Sequence, residues 1–390
     1  MLGRAVIAFI LTLASPLAAF GGEAALSVHW QRAVQTGSYG AADAVYPESC
    51  AACHKAQYDD WRGALHSKSV GPGLLAQLAP DKDPETARSC YYCHAPLAAQ
   101  SEVTAKEGGY AANNSFDVRL KSSGVGCAAC HVREGGVFGP PRADGIKSSH
   151  RANHASTRSD FFERAEFCAA CHQFDEGYEL NGKLLVNTFM EWKESEYGKN
   201  NVTCQSCHMP GRRHLFRGIH DLEMVKGGVE FKVESHTGAD IIGAKLRITN
   251  SGVGHYFPTY VTPLVVIKGF LTDAKGKLLK GTMKESMIGR KVSLDLSKEL
   301  FDTRIPPSES FVFDYKSKRL KKAERFVFEV SVYPDEFYNR FFESAVKRRD
   351  SSMKMEELKE ALKTTSGSGY ILFRKEIALK DLSSASYQLR

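Results

Sequence analysis

From residue 229 onward, apolar and polar positions alternate with a period of two, the mark of half-buried strands. Val229-Glu230-Phe231-Lys232-Val233-Glu234 sets the pattern, and similar runs follow at 245–249, 264–271, 310–315, 326–332 and 370–377. Asp273-Ala274-Lys275-Gly276-Lys277 is a turn signal between two of them. Apolar positions shift to helical spacing near 337–346 and again over 353–362, which predicts one helical insertion before the last strand. Many short strands joined by polar turns predict an all-β sandwich over residues 222–390, immunoglobulin-like in type. No nucleophile with a base, phosphate loop or metal cluster stands out in this half, so a support or docking role is expected.

Residues 22–221 do not read that way. Polar and Gly-rich pieces such as Glu107-Gly108-Gly109 and Lys121-Ser122-Ser123-Gly124 separate short helical stretches and carry few apolar side chains. A mostly α and irregular domain is predicted, with too little apolar surface to build its own core. Ahead of it, Arg4 precedes an apolar run from Ala5 to Phe20 that Pro16 interrupts, and Ala19-Phe20-Gly21 closes the run with small residues. Residues 1–21 are therefore expected to be a secretory signal, the alternative being an uncleaved anchor. No later stretch is long and apolar enough to cross a bilayer. The expected location is periplasmic, with the cell surface or the exterior also open.

What fills the first half is legible in its cysteines. Cys-x-x-Cys-His occurs five times: Cys50 to His54, Cys90 to His94, Cys127 to His131, Cys168 to His172 and Cys204 to His208. The second cysteines are Cys53, Cys93, Cys130, Cys171 and Cys207, so the motifs use all ten cysteines of the chain. Two thiols three positions apart on one helical turn can each add to a vinyl group of one porphyrin. The next residue then points its imidazole at the iron. Five covalently attached haems c are expected. Zinc knuckles come in pairs, and a disulfide framework has no use for a histidine after each second cysteine. Successive first cysteines lie 40, 37, 41 and 36 residues apart without similar sequence between them, a recurrence of attachment sites and not a solenoid.

The charge balance changes meaning in this light. Lys and Arg exceed Asp and Glu to give +7, which alone suggests an anionic partner such as nucleic acid. Five haems bring roughly ten propionates, and these offset the excess, so no nucleic-acid partner is expected. A basic run over 316–322, with Lys318, Arg319 and Lys321 inside it, is expected to be a solvated loop, docking to an acidic redox partner being the alternative.

Beyond the five proximal histidines, His29, His66, His150, His154, His214, His220, His236 and His255 remain. Six-coordinate iron needs a further ligand each, and six of these eight lie between the signal and residue 221. Tyr58-Asp59-Asp60-Trp61-Arg62-Gly63-Ala64-Leu65-His66 resembles the Trp-x-x-small-x-His segment of exported multihaem cytochromes c, the group that includes the nitrifiers' tetrahaem partner of hydroxylamine oxidoreductase. Gly139-Pro140-Pro141 before Ser148-Ser149-His150, Glu191-Trp192, Cys207-His208-Met209-Pro210, His214 to His220 and Asn250 to Thr259 are similar to further segments of that family. The resemblance implies distal ligation by His66 and His150, then by His214 and His220. His154, four residues after His150, would share a helix face with it and serve a neighbouring haem, or only one of the two would ligate. His29 is a reserve. His255 could reach a haem edge or propionate, although a Gly-His in such a turn is more often structural. Met190 and Met209 are expected to pack.

The expectation is a pentahaem electron relay with mostly two-histidine coordination, without a catalytic residue, between exported or membrane redox proteins. The rival is a reductase or oxidoreductase of a small nitrogen or sulfur compound (nitrite, hydroxylamine or tetrathionate) at one five-coordinate haem. The oligomeric state is not readable from the sequence.

Overall fold

The computed structural model describes residues 46–78, 84–133, 136–141, 156–237, 240–350, 353–381 and 386–389. The signal run, His29, His150 and His154 lie outside them.

The first half is a succession of short helices, and the attachment motifs sit in or against them. Cys50 lies in α1 (Pro47–Ala51), and His54 caps the N-terminus of α2 (Lys55–Gly63). After α3 (Pro72–Gln77), the helices α4 (Pro84–His94), α5 (Cys127–His131) and α6 (Glu166–His172) each end on the histidine of a motif. α7 (Thr188–Glu194) precedes α8 (Cys204–His208), which ends the same way, and α9 (Leu222–Gly228) closes this half. Five-residue helices such as α5 and α8 have no stability of their own. Long-range bonds hold them. The Trp61 indole nitrogen donates to the Val125 carbonyl at 2.8 Å, and that of Trp192 donates to the Val202 carbonyl at 2.8 Å. Both carbonyls stand two residues before the first cysteine of a motif, so two unrelated stretches use one device. At the other end of α5 the buried Arg133 donates to the Ala128 and Ala129 carbonyls, covering acceptors that a short helix leaves bare.

Among the described residues the second half has ten strands; Arg290–Val292 and Glu299–Asp302 pair with each other as a short ribbon, and the other eight are β1 (Val229–Thr237), β2 (Ile241–Asn250), β3 (Leu264–Thr272), β4 (Lys284–Ile288), β5 (Ser310–Lys318), β6 (Arg325–Tyr333), β7 (Tyr370–Ala378) and β8 (Ser386–Leu389). Those eight make the two main sheets, four-stranded and antiparallel, β5-β2-β1-β8 and β4-β3-β6-β7. Val233, Ile242, Leu246 and Phe313 from one sheet and Val265, Ile267, Phe326 and Val330 from the other share one apolar core. In β5 the buried residues alternate with exposed ones, whereas β3, flanked on both sides, is buried nearly throughout. α10 (Glu336–Arg348) and α11 (Met355–Ser366) are inserted between β6 and β7 and pack with α3 through Phe342, Ala345, Leu358, Ala361 and Ala76. β4 and β8 lie at sheet edges and break the expected pattern. Lys284 and Glu285 in β4 are exposed, since an edge strand carries charge where a central one carries Val or Ile.

Ion pairs fasten the two halves. Arg290 is fully buried, donates to the carbonyls of Leu180, Lys183 and Leu184 at 2.6 to 3.0 Å, and pairs with Glu299 at 2.8 Å. Lys183 reaches Glu299 and Asp302 at 2.8 and 2.7 Å. Arg304 bridges Asp302 to Glu191 of α7, at 2.8 and 3.0 Å. Burial pushes the Asp302 carboxyl up, but bonds from Arg304 and Lys183 outweigh it and hold the group well below the usual carboxylate range. The basic run follows the end of β5 that pairs with Ile241, the far end of β2 from Asn250. Ten residues of strand separate these ends by about 30 Å. Lys318, Arg319, Lys321 and Lys322 are all exposed there.

Candidate functional site

One cavity of about 3740 Å³ runs through the first half and against the loop 251–263 of the second. That is several times the roughly 300–1,000 Å³ of an ordinary ligand pocket. All ten cysteines and the five motif histidines line it, together with His66, His214, His220 and His255. None of the ten cysteines is in a disulfide. Among the described residues no three or more His, Cys, Asp or Glu side chains converge as for a bare metal ion. A hollow of this size, edged by paired thiols each followed by an imidazole, fits covalently attached porphyrins. The chemistry that haem c would supply here is a one-electron couple at iron.

The motifs touch one another. The Cys50 thiol lies beside that of Cys127, Cys93 beside Cys171, and Cys168 beside Cys204. The first motif therefore lies against the third, the second against the fourth and the fourth against the fifth. Such contacts would bring the attached porphyrins close together.

Backbone carbonyls fix the tautomers of the rings. Nδ1 of His94 meets the Ser69 carbonyl at 3.0 Å, that of His131 the Phe138 carbonyl at 2.8 Å, and that of His208 the Arg217 carbonyl at 2.5 Å. His214 and His255 do the same with the carbonyls of Arg212 and Tyr256, at 3.1 and 2.9 Å. A carbonyl only accepts, so Nδ1 carries the proton and donates it, and the Nε2 lone pair is left for a metal. His172 differs: its Nδ1 meets the Tyr260 hydroxyl at 2.5 Å. Burial pushes the Tyr260 phenol up to about 12, so it stays protonated. All of these histidines line the cavity. Burial, with help from neighbouring imidazoles, pushes His66, His131, His172 and His255 down to about 4, which keeps them neutral and fit to ligate near neutral pH.

Three pairs of rings stand at one spacing. The ring centres of His131 and His214 are 6.1 Å apart, those of His172 and His66 are 6.3 Å apart, and those of His208 and His255 are 6.3 Å apart. Two imidazoles on opposite sides of one iron put their centres about 6 Å apart, from metal–nitrogen bonds of about 2.0 Å and about 1.1 Å from each nitrogen to its ring centre. His66 and His214 thus stand beside motif histidines. His220 does not. Its Nε2 lies 3.1 Å from both carboxylate oxygens of Asp335, so the nitrogen that would face iron is taken by an acid 115 residues away. His54 lines the cavity near His131 and His214. His255 stands beside His208, although its Gly-His turn points more to a structural role. Its signal in the sequence is placement in the segment Asn250 to Thr259.

The Cytochrome c554 and c-prime family model matches residues 49–132. Cytochrome c-554 of Nitrosomonas europaea is 32% identical over 160 residues, which are 36% of this chain and 63% of that protein. The chain thus spans just under two thirds of that relative's length. A solved structure of a penta-heme cytochrome c552 from Thermochromatium tepidum covers 85% of this chain and 97% of its own at a TM-score of 0.61. At 19% identity this likeness speaks for the fold alone. With the attachment motifs gathered around one cavity and its matches on this side, the chain is a multihaem c-type cytochrome, similar to the cytochrome c554 family.

Proposed function

We propose that the protein is an exported pentahaem cytochrome that relays electrons between exported or membrane redox proteins, without substrate chemistry of its own. The observation that carries this is the set of histidine pairs at 6.1 to 6.3 Å, in which His131, His214, His208 and His255 commit Nδ1 to a backbone carbonyl and leave Nε2 open. In this reading the ten cysteines tether five haems. His131 with His214, and His172 with His66, are the residues that would hold an iron between them. His150 and His154, which the resemblance implies as further ligands, lie outside the described residues. Neutral, enclosed imidazoles such as His66, His131 and His172 would keep water off a bound iron, whose one-electron couple is the chemistry the haem would supply. The thiol contacts between motifs support short steps from one porphyrin to the next. Two imidazoles per iron favour low potentials.

The same reading makes residues 22–221 the haem domain and 222–390 a support domain. The order β5-β2-β1-β8 over β4-β3-β6-β7 supports the immunoglobulin-like assignment, with α10 and α11 as its insertion. Among the described residues no helix is long and apolar enough to cross a membrane. The distance of the basic run from the cavity argues against electron entry there. Replacing Lys318, Arg319 and Lys321 together by glutamine should leave the rate of reduction by a small acidic donor protein within about twofold, since only charges near the entry point steer association. A drop of tenfold or more would relocate the docking surface.

The test of the relay is the spin state of the oxidised holoprotein by electron paramagnetic resonance. No high-spin ferric signal is expected. His214→Ala should add high-spin signal equal to one of the attached haems. A parent protein with one haem's worth of high-spin signal, shifted by nitrite or hydroxylamine, would replace the relay with the catalyst.

A further inference from the structure

We propose that the second half of the chain supplies a metal ligand: His255, from the loop after β2, is the sixth ligand of the haem attached at Cys204 and Cys207, opposite His208. The proposal rests on the relay reading above and adds to it a part for the half that the sequence marked as support.

Three observations converge on His255. Its ring centre lies 6.3 Å from that of His208, the spacing of the pairs His131 with His214 and His172 with His66. Both rings commit Nδ1 to a main-chain carbonyl, His208 to Arg217 and His255 to Tyr256, so both present Nε2. Among the described residues the His255 ring makes no other hydrogen bond.

The loop is also built to hold that ring in place. The Asn250 side-chain amide donates to the carbonyls of His255 and Ile305 at 2.9 and 3.0 Å, and its oxygen accepts from the Val253 amide at 3.1 Å. The Tyr256 amide donates to Glu191 of α7 at 3.1 Å. Close approach does the rest. A Cβ on Gly254 would meet Tyr197 at 3.0 Å and the Trp192 ring at 3.3 Å, and one on Gly252 would meet the Gly227 carbonyl at 2.5 Å. The loop thus rests on Trp192, the side chain that also seats the Cys204 motif. Ligand and motif share one support.

The experiment uses the full-length, haem-loaded protein with His255→Ala and His255→Met, and His214→Ala in parallel. His255→Ala should show high-spin ferric signal equal to one of the attached haems, and added imidazole should return it to low spin. His255→Met should stay low-spin, gain the far-red charge-transfer band of His/Met ligation, and raise the potential of one haem. A purely structural His255 would give neither imidazole rescue nor that band. His255→Ala with full haem content and an unchanged spin state overturns the proposal. If His255→Ala does not accumulate, His255→Met decides by its band and potentials, and an unchanged set overturns it. Silence in His255→Ala alone removes only this ligand, whereas silence in His214→Ala as well removes the axial pairing on which the relay depends.

Discussion

Arg304→Met should cost the folded protein about 3–5 kcal/mol, the usual penalty for breaking a buried ion pair from one side. Both side chains of the pair with Glu191 are about 5% exposed or less. Arg304 also donates to Asp302 and to the Thr259 carbonyl, at 2.8 and 2.9 Å. Without it, Glu191 keeps bonds from the Thr259 hydroxyl at 2.6 Å and the Tyr256 amide at 3.1 Å, but no cation. Burial already pushes the Glu191 carboxyl up. A carboxyl whose folded pKa is raised binds its proton more readily folded than unfolded, so the stability linked to it is lost as pH rises. The variant should therefore be worst off at neutral and alkaline pH and recover toward pH 5. Urea midpoints of the holoprotein across that range check it. Glu191→Gln combined with Arg304→Met should regain part of the loss, because the orphaned charge is gone. Equal loss at every pH would mean that the guanidinium packs and does not neutralise.

The second large effect is expected at the tryptophans. Trp61→Ala or Trp192→Ala should each cost about 3–5 kcal/mol, since each removes a large buried ring. Trp61 is 7% exposed and Trp192 9%. Phenylalanine in place of either ring isolates the hydrogen bond and should cost about 0.5–1.5 kcal/mol, the net worth of a partly buried hydrogen bond. Trp192→Ala should do more than destabilise, because the loop of His255 rests on the same ring. It should broaden the spectrum of one haem, while Trp61→Ala leaves that haem untouched. Chemical denaturation with magnetic resonance of the same samples reads both. Equal spectral effects from the two variants would mean that the rings act through global stability alone.

How much of this was legible varies with the range of the interaction. The five motifs are local signals, since spacing within one helical turn carries the whole chemistry, and the strands of the second half are legible wherever one face meets the core. β4 escaped because Lys284-Glu285-Ser286 reads as a loop until a neighbouring strand makes it an edge. His220 reads like His214, and only the fold reveals Asp335 beside it. His255 reads first as the structural histidine of a Gly-Val-Gly-His turn, within reach of a haem edge at most. Its relation to His208 arises when two sheets and an ion-paired joint bring residues 47 positions apart into one cavity. The buried network of Arg290, Glu299, Asp302 and Arg304 was equally silent in the sequence, where charged residues look like surface.

The acceptors that orient five of these imidazoles belong to the main chain. A carbonyl oxygen is the one polar group that no substitution can delete, so residues 69, 138, 212, 217 and 256 can drift in identity while the rings stay aimed. What such a site cannot tolerate is a change in chain length, because one inserted or deleted residue moves the oxygen away from its imidazole. His172 is the exception. Its partner is the Tyr260 side chain, so a single codon can alter the polarisation of that imidazole alone, leaving one haem independently adjustable among neighbours fixed by the backbone.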